Sequence, residues 1–509
     1  MTDAAQTDTS APEAAAPPLV CSFIAGAPAS PGDVRLPVYY PATGAQVSEL
    51  AEADAAEVDR AVHAARAAFD AGDWPRMGTE ARQALLRACA DAVEAHAAEL
   101  AVLECLNLGV AVHELRARHI ARAAYNFRFF AEYIGQTSGE VYDQSAGYRT
   151  IVVREPVGVA ALIAPWNAPV ALASMKIAAA LAFGNTAVLK PSEQTPLALA
   201  RLVALLHEAG VPAGVLNLVN GRGHVTGAAL VAHPGVDLIS FTGGTETGRE
   251  IMASAGRRLK PCTMELGGKS ANIVFASADF DRALDAALAS IFSNNGQQCL
   301  AGSRILVERS ISERFIAAFA DRARRLRIGD PFAAGTELGP LASRAHRDRV
   351  LGFAETARAE GAEILLGGGV PPMSGALAGG YFIEPTVALA PGNGLAVCQQ
   401  EIFGPFATIQ VFEDYADAIT RANDTDFGLV SYVWSDHLPT VERAVRDLRS
   451  GVVWVNTTMT RELRAPFGGY KDSGVGRESG AACEAFYTET KTVTVPAMPI
   501  TPRRMGLGT

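Results

Sequence analysis

The sequence predicts an α/β protein of two domains, and three observations carry that expectation. At 509 residues the chain is too long for one simple core. Apolar residues at 49% and charged residues at 19% mark a globular chain. From about residue 156 onward, short apolar runs alternate with amphipathic stretches. That is the pattern of parallel βαβ units, with ligands expected at the carboxyl ends of the strands.

The elements follow in order. The opening MTDAAQTDTSAPEAAAPP carries acids in place of a basic n-region and has no apolar h-region. It matches neither a secretory signal nor a transit peptide, and its Ala/Pro/Thr bias reads as a flexible arm over 1–35. Helical periodicity dominates from 55 to about 133, as in EVDRAVHAARAAFDAG and ARQALLRACADAVEAHAAELAVLE. YRTIVVREPVGVAALIAPW reads as extended, with a turn at Glu155 and Pro156. TAVLK then precedes helix-like TPLALARLVALLHEAG, VLNLVNG precedes a helix, and DLISFTGG precedes helix-like TETGREIMASAG. After Glu265 a second alternation begins with ANIVFA, a helix over 281–295, SRILVER and helix-like ISERFIAAFADRARRL. KTVTVP, 491–496, is a last extended piece.

Composition excludes several classes. A net charge of −10 with no basic stripe opposes a nucleic-acid partner. The longest apolar stretch, 169–183, is interrupted by Lys176 and is too short to span a membrane. Seven cysteines, odd in number and without a CxxC pair, suit neither a disulfide framework nor a zinc site; they point to a reducing, cytoplasmic setting. The nine histidines show no HExxH pattern, so no metal is expected.

Five constellations carry chemistry. Cys299 ends the polar run FSNNGQQC, an unusual place for a residue that behaves as a small hydrophobe. Either it is filler near a loop or its thiolate reacts, and a polar turn at a cleft mouth, with Gly296 allowing close backbone approach, would let that thiolate form. Glu265 in CTMELGGKS lies between apolar neighbours, which should raise its pKa toward that of a general base; the alternative is a strand-end ion pair. Asn167 in APWNAP offers an amide to an oxyanion, or simply caps the next helix. Lys190 and Glu193 in KPSE could hold both hydroxyls of an adenosine ribose, the carboxylate favouring NAD over NADP, or be an ordinary strand-end Lys and first-turn Glu. NGRGHVTG (with Gly223) and FTGGTETGR (with Phe241, Gly243 and Gly244) are glycine junctions between strand and helix, suited to a pyrophosphate or merely tight turns. Jointly they fit one reaction: a cysteine attacks an aldehyde, an amide steadies the oxyanion, a nicotinamide takes the hydride and a glutamate activates water.

PWN, KPSE, FTG, MELGGKS, GQQC, EIFGP and PFGGYKDSG occur here in the order and spacing of the aldehyde dehydrogenase superfamily. The chain resembles that superfamily from about Val38 to about Pro496. The resemblance implies a Rossmann-like NAD-binding domain (36–138 and 158–265), a second α/β catalytic domain (266–470), and a small β oligomerisation element (139–157 with 485–509). It implies Cys299 as nucleophile, Glu265 as the base of deacylation, and Asn167 with the Cys299 backbone N–H as oxyanion hole. Lys176 matches a proton-relay lysine. Lys190 and Glu193 match the adenosine-ribose contacts, Glu401 the carboxylate on the nicotinamide ribose, and Phe403 the aromatic beside it. Trp166, Gly223 and Gly243 fall where the family lines its cofactor cleft, and Gly244 departs from a common Ser. Homodimers or homotetramers are expected.

Toward the substrate, HIARAAYNFRFFAEY and TRELRAPFGG resemble the branch that oxidises 2-hydroxymuconic, 2-aminomuconic and 5-carboxymethyl-2-hydroxymuconic semialdehydes. The resemblance assigns Arg122 and Arg464 to the substrate's acid group, with Arg461 and Phe467 of the adjoining pocket motif; the alternative is a surface helix charge for Arg122 and a structural ion pair for Arg464. Ala168 leaves a roomy entrance that also fits aromatic aldehydes. A CoA-acylating enzyme is disfavoured by Glu265. A cysteine hydrolase is disfavoured by the lack of a His-bearing motif, and a non-catalytic protein by the presence of both Cys299 and Glu265.

Overall fold

The computed structural model describes residues 19–144, 147–499 and 505–506. Two large sheets organise it. The first runs Gly474–Val475, Cys262–Glu265, Leu238–Thr242, Val159–Ile163, Thr186–Lys190, Leu216–Leu218, Phe23–Ile24 and Ala27–Pro28. Its central strands are parallel and its outer ones antiparallel. Four of the central strands are buried along their whole length, as expected where helices cover both faces. Alternation divides them. Ala160, Leu162, Ala187 and Leu189 face one way, into the core shared with helices Pro169–Ala182 and Leu197–Glu208. Ala161, Val188, Ile239 and Phe241 face the other, against Ala55–Asp70 and Thr245–Gly256.

The second sheet runs Glu363–Leu366, Thr386–Leu389, Phe406–Phe412, Arg304–Glu308, Ala271–Val274, Val430–Trp434 and Val452–Val455, parallel except at its first pair. Helices Phe280–Phe292 and Arg309–Arg324 cover one face through Leu284, Phe315 and Phe319. A third, three-stranded sheet joins Glu140–Gln144, Tyr148–Pro156 and Thr488–Pro496, with Lys491 opposite Val153 and Pro496 opposite Tyr148.

Only five residues separate strand Cys262–Glu265 of the first sheet from Ala271–Val274 of the second. Loops leaving the carboxyl ends of the first sheet therefore meet loops entering the amino ends of the second. Asn167 follows Val159–Ile163, whereas Cys299 precedes Arg304–Glu308 and Glu401 precedes Phe406–Phe412. After residue 470 the chain returns to the first sheet, where Gly474–Val475 pairs with Met264 and Glu265.

Two expectations change. The stretch 19–35 is not a free arm. Leu19–Val20 pairs with Gln46–Ala51, and Phe23–Ile24 extends the first sheet at Leu218. Phe23 packs on the His207 ring at 4.9 Å and the Ala25 N–H donates to Asn217 Oδ1 at 2.9 Å, anchors that composition alone does not reveal. Residues 1–18, 500–504 and 507–509 lie outside the described residues. The helix read over 281–295 ends at Phe292, because Asn294 and Asn295 adopt left-handed φ values of 54° and 55°. Among the described residues no helix is long and apolar enough to cross a membrane.

Candidate active site

The cysteine turn is built from its own polar side chains. Asn294 and Asn295, both of a residue type that tolerates left-handed backbone, are followed by Gly296 at φ +72°. Each side chain then secures a backbone group. Asn294 Nδ2 donates to the carbonyls of Asn167 and Gln297, both at 2.9 Å. Asn295 Nδ2 donates to Pro340 O at 2.8 Å and Gly109 O at 3.1 Å, while its Oδ1 accepts from Gly339 N at 2.8 Å. Gln297 Oε1 accepts from Ala342 N at 2.9 Å. The polar run is thus buried scaffolding, and half-buried Cys299 is what it presents.

An added Cβ on Gly296 would overlap the Gly404 carbonyl and Pro405 N. One on Gly268 would lie 2.5 Å from the Cys299 carbonyl oxygen. Bare backbone thus brings Cys299 beside the connector that carries Glu265. The thiol is pushed up to about 12, by burial first and then by the charges of Glu401 and Glu265. Burial thus disfavours the thiolate in this turn first, and the neighbouring Glu401 and Glu265 charges add to it.

Glu265 is buried with Oε1 unpartnered among the described residues, and Gly468 makes room for that oxygen (an added Cβ there would be 2.7 Å away). Burial, and then the charge of Glu478, hold its carboxyl well above the ordinary range. Asn167 Nδ2 donates to Gln297 O at 3.0 Å, which ties it to the cysteine turn. Lys176, 1% exposed, donates to Glu478 Oε1 at 2.7 Å and Ser240 Oγ at 2.9 Å. Burial works against the Glu478 charge, but Lys176 and Arg461 outweigh it and leave that carboxyl below its usual range.

Around the cofactor positions, Lys190 Nζ stands 3.6 Å from Glu193 Oε2. Glu193 lines a cavity of about 580 Å³ with Arg222, Arg344 and Tyr381. Gly223 opens the turn Gly223–Gly227 and Gly244 caps Thr245–Gly256; an added Cβ on either would meet nothing within 4 Å. Gly243 lies over the Phe241 ring, which is buried in the core, so Phe241 supports the junction from beneath rather than lining the cleft. Glu401 Oε1 accepts from Gly268 N at 2.9 Å, and burial raises its carboxyl to about 7. Trp166 and Phe403 meet edge to face at 5.2 Å. Helix starts facing open space, with a carboxylate at either side, fit a dinucleotide.

On the substrate side the arginines separate. Arg122 is largely buried. Its Nε donates to Asn126 Oδ1 at 2.9 Å, and its Nη2 is unpartnered among the described residues. Burial, and then the neighbouring Arg461, lower Arg122 to about 9. Arg461 lies 4.1 Å over the Phe467 ring and donates to Ser479 Oγ at 3.0 Å, with its Nε likewise unpartnered. Arg464 is corrected: its side chain is 79% exposed and paired with Glu462 at 2.9 Å. The loop 457–466 turns Arg461 inward and Arg464 out.

Sequence reasoning missed Glu478, His346 and Arg349. A lysine inside the apolar run ALASMKIAAALA requires a buried acid partner, which was the available signal for Glu478. Among the described residues Asp59, His63 and His233 also cluster within 4.8 Å, but their protons are already allotted. Gly235 N donates to His233 Nδ1, so His233 Nε2–H faces Asp59, and His63 Nδ1–H donates to the Asp59 carbonyl.

A profile of the aldehyde dehydrogenase family matches residues 29–493. The chain belongs to the aldehyde dehydrogenase family. It is 44% identical over 442 residues to 5-carboxymethyl-2-hydroxymuconate semialdehyde dehydrogenase of Escherichia coli, covering 86% of this chain and 93% of that protein. It is 43% identical over 461 residues to retinal dehydrogenase 2 of Homo sapiens, covering 90% and 88%. The solved betaine aldehyde dehydrogenase of Staphylococcus aureus in complex with NAD+ superposes with a TM-score of 0.93 at 37% identity, covering 96% of each chain.

The surroundings of this aldehyde dehydrogenase's arginines and acids set their expected weight. Glu478→Gln leaves Lys176 buried without its counter-charge and should cost roughly 3 kcal/mol in denaturant unfolding. Arg464→Ala breaks only an exposed pair and should stay within about 0.5 kcal/mol. Gly296→Ala should lower stability by at least ~2 kcal/mol, since strain and overlap with backbone combine.

Proposed function

We propose that this enzyme oxidises an aldehyde bearing a distal carboxylate, of the hydroxymuconic semialdehyde type, in the breakdown of aromatic compounds. It is an NAD-dependent aldehyde dehydrogenase. Overall identity does not choose the aldehyde, because the semialdehyde and retinal relatives are about equally similar. A count of buried charge supports the choice. Lys176, Arg122 and Arg461 face Glu478, while burial and the Glu478 charge hold the Glu265 carboxyl well above the ordinary range. Two guanidiniums retain unpartnered nitrogens in that positive region. A carboxylate is the ligand such a pair accepts.

Cys299 supplies the nucleophile and forms a thiohemiacetal with the aldehyde carbon. The thiol proton leaves as the bond forms, and Glu265 in its ionised form is the acceptor, its raised range suiting a base that works near neutral pH. One Nδ2 proton of Asn167 is engaged by Gln297; the other, with the Cys299 N–H, meets the oxyanion. NAD, held by Lys190, Glu193 and Glu401 with the helix starts at Gly223 and Gly244, supplies the hydride acceptor when bound. Glu265 gives up that first proton to solvent before water attacks the thioester left on Cys299; a proton of the water then passes to Glu265, the C–S bond breaks, and the Cys299 sulfur leaves as the carboxylic acid forms. Glu478 stays ionised through Lys176 and Arg461, and its charge keeps Glu265 basic.

The same reading extends to assembly and compartment. Strand Thr488–Pro496 is exposed along nearly all its length and paired on one side only, an edge that suits a second copy in a homodimer or homotetramer. Seven free cysteines suit the cytoplasm.

Arg461→Ala should lower kcat/KM for a hydroxymuconic semialdehyde by about 10–100-fold more than for acetaldehyde, since both aldehydes share any change at Glu478 and Glu265. Equal losses on both aldehydes overturn the carboxylate reading. Glu478→Gln removes the charge that raises Glu265, so the acid limb of the kcat–pH profile should move to lower pH by about one unit. An unmoved limb removes Glu265 as the base. Cys299→Ala should abolish NADH formation with every aldehyde.

A further inference from the structure

We propose that one face of helix Arg344–Ala359 is a carbonyl clamp that positions the cofactor side of the active site, with His346 and Arg349 as its positioning residues. This rests on the NAD reading above.

The segment 401–403 lies outside the strands, so no ladder holds its carbonyls. Side chains three apart on one helix face hold them instead. Arg349 Nη2 donates to Glu401 O at 2.7 Å and Nη1 donates to Ile402 O at 2.9 Å. His346 Nε2 is 2.7 Å from Phe403 O. A carbonyl only accepts, so Nε2 carries the proton. Burial lowers the imidazole to about 4, which keeps the ring neutral. On the same face, Val350 closes on Gly404, where an added Cβ would lie 2.9 Å from its Cγ2.

What the clamp holds is strained and functional. Phe403 has a left-handed φ of +64°, a conformation that costs an aromatic residue about 1–2 kcal/mol and persists only when its surroundings impose it. The His346 hydrogen bond imposes it from one side, and ring contacts impose it from the other. His346 meets Trp166 at 5.1 Å and Phe403 at 6.2 Å. Since Trp166 follows a strand of the first sheet and His346 belongs to the second, this imidazole also ties the two sheets together at the cofactor cleft. Fixing the Glu401 carbonyl fixes the carboxylate that Gly268 N engages, and Gly267 leaves 2.6 Å between an added Cβ and Glu401 Oε2. The two residues assigned to the nicotinamide ribose are thus aimed from a helix that carries none of the reacting groups.

Titration of His346→Leu, His346→Gln, Arg349→Lys and the unaltered full chain with NADH, followed by nucleotide fluorescence, tests this. Loss of the N–H in His346→Leu should weaken NADH binding by about tenfold, while His346→Gln, which keeps a donor, should stay within about threefold. Arg349→Lys, with a point donor in place of a fork, should fall between them. In steady state the KM for NAD should rise with the KM for aldehyde unchanged. Thermal midpoints identify any variant that fails to fold, and Arg349→Lys then carries the comparison alone. NADH binding unchanged in all folded variants, or lost equally in the Leu and Gln variants, overturns the clamp. Failure of the unaltered protein to bind NADH overturns the cofactor reading instead.

Discussion

Between the two sheets, main chain touches main chain. The glycines at 267, 268, 296, 404 and 468 each stand where a side chain would strike backbone, a carboxylate oxygen or a packed valine. That constraint brings a thiol and a carboxylate from two loops and a second carboxylate from a strand end into one water-poor volume. Had any of these positions carried a Cβ, the loops would part by roughly a methyl group, enough to disorganise a reaction that depends on near-contact geometry. The glycine seam is therefore the precondition for the chemistry.

The electrostatics follow from that dryness. Burial raises Glu265 and Glu401, the Glu478 charge adds to Glu265, and burial with the charges of Glu401 and Glu265 raises the sulfur as well. The molecule separates their roles by giving only Glu478 direct cationic partners. That acid stays charged and pushes Glu265 upward, while Arg122 and Arg461 retain donor capacity for an incoming anion. One buried glutamate thus tunes the base on one side and leaves the arginines under-neutralised on the other.

Much of this was legible in the chain itself. The strands read in TAVLK and DLISFTGG are present and buried throughout because they are covered on both faces. Cys299, Glu265 and Asn167 announced themselves through motifs. What could not be read was direction. Arg461 and Arg464 look equivalent in TRELRAPFGG, yet a loop has no fixed period to say which one points inward. Glu478 lies some 300 residues from the lysine it neutralises, and the donors to residues 401–403 come from a helix whose sequence reads as ordinary surface. The burial around the thiol was not legible because its polar neighbours in sequence are spent on holding the turn.

The left-handed pair that shapes this turn has a chemical consequence. Asn295 is followed directly by Gly296, a dipeptide that in a loose chain cyclises to a succinimide and releases ammonia, leaving an acid in place of the amide. Here the amide is occupied on both its atoms, by Gly109, Pro340 and Gly339, and the folded backbone denies it the required approach. Ageing is thereby deferred to moments of unfolding. A molecule that lost its amide in such a moment would have to bury a new anion against two carbonyls to rebuild the turn, so time spent unfolded would be recorded as a permanent loss of competent enzyme.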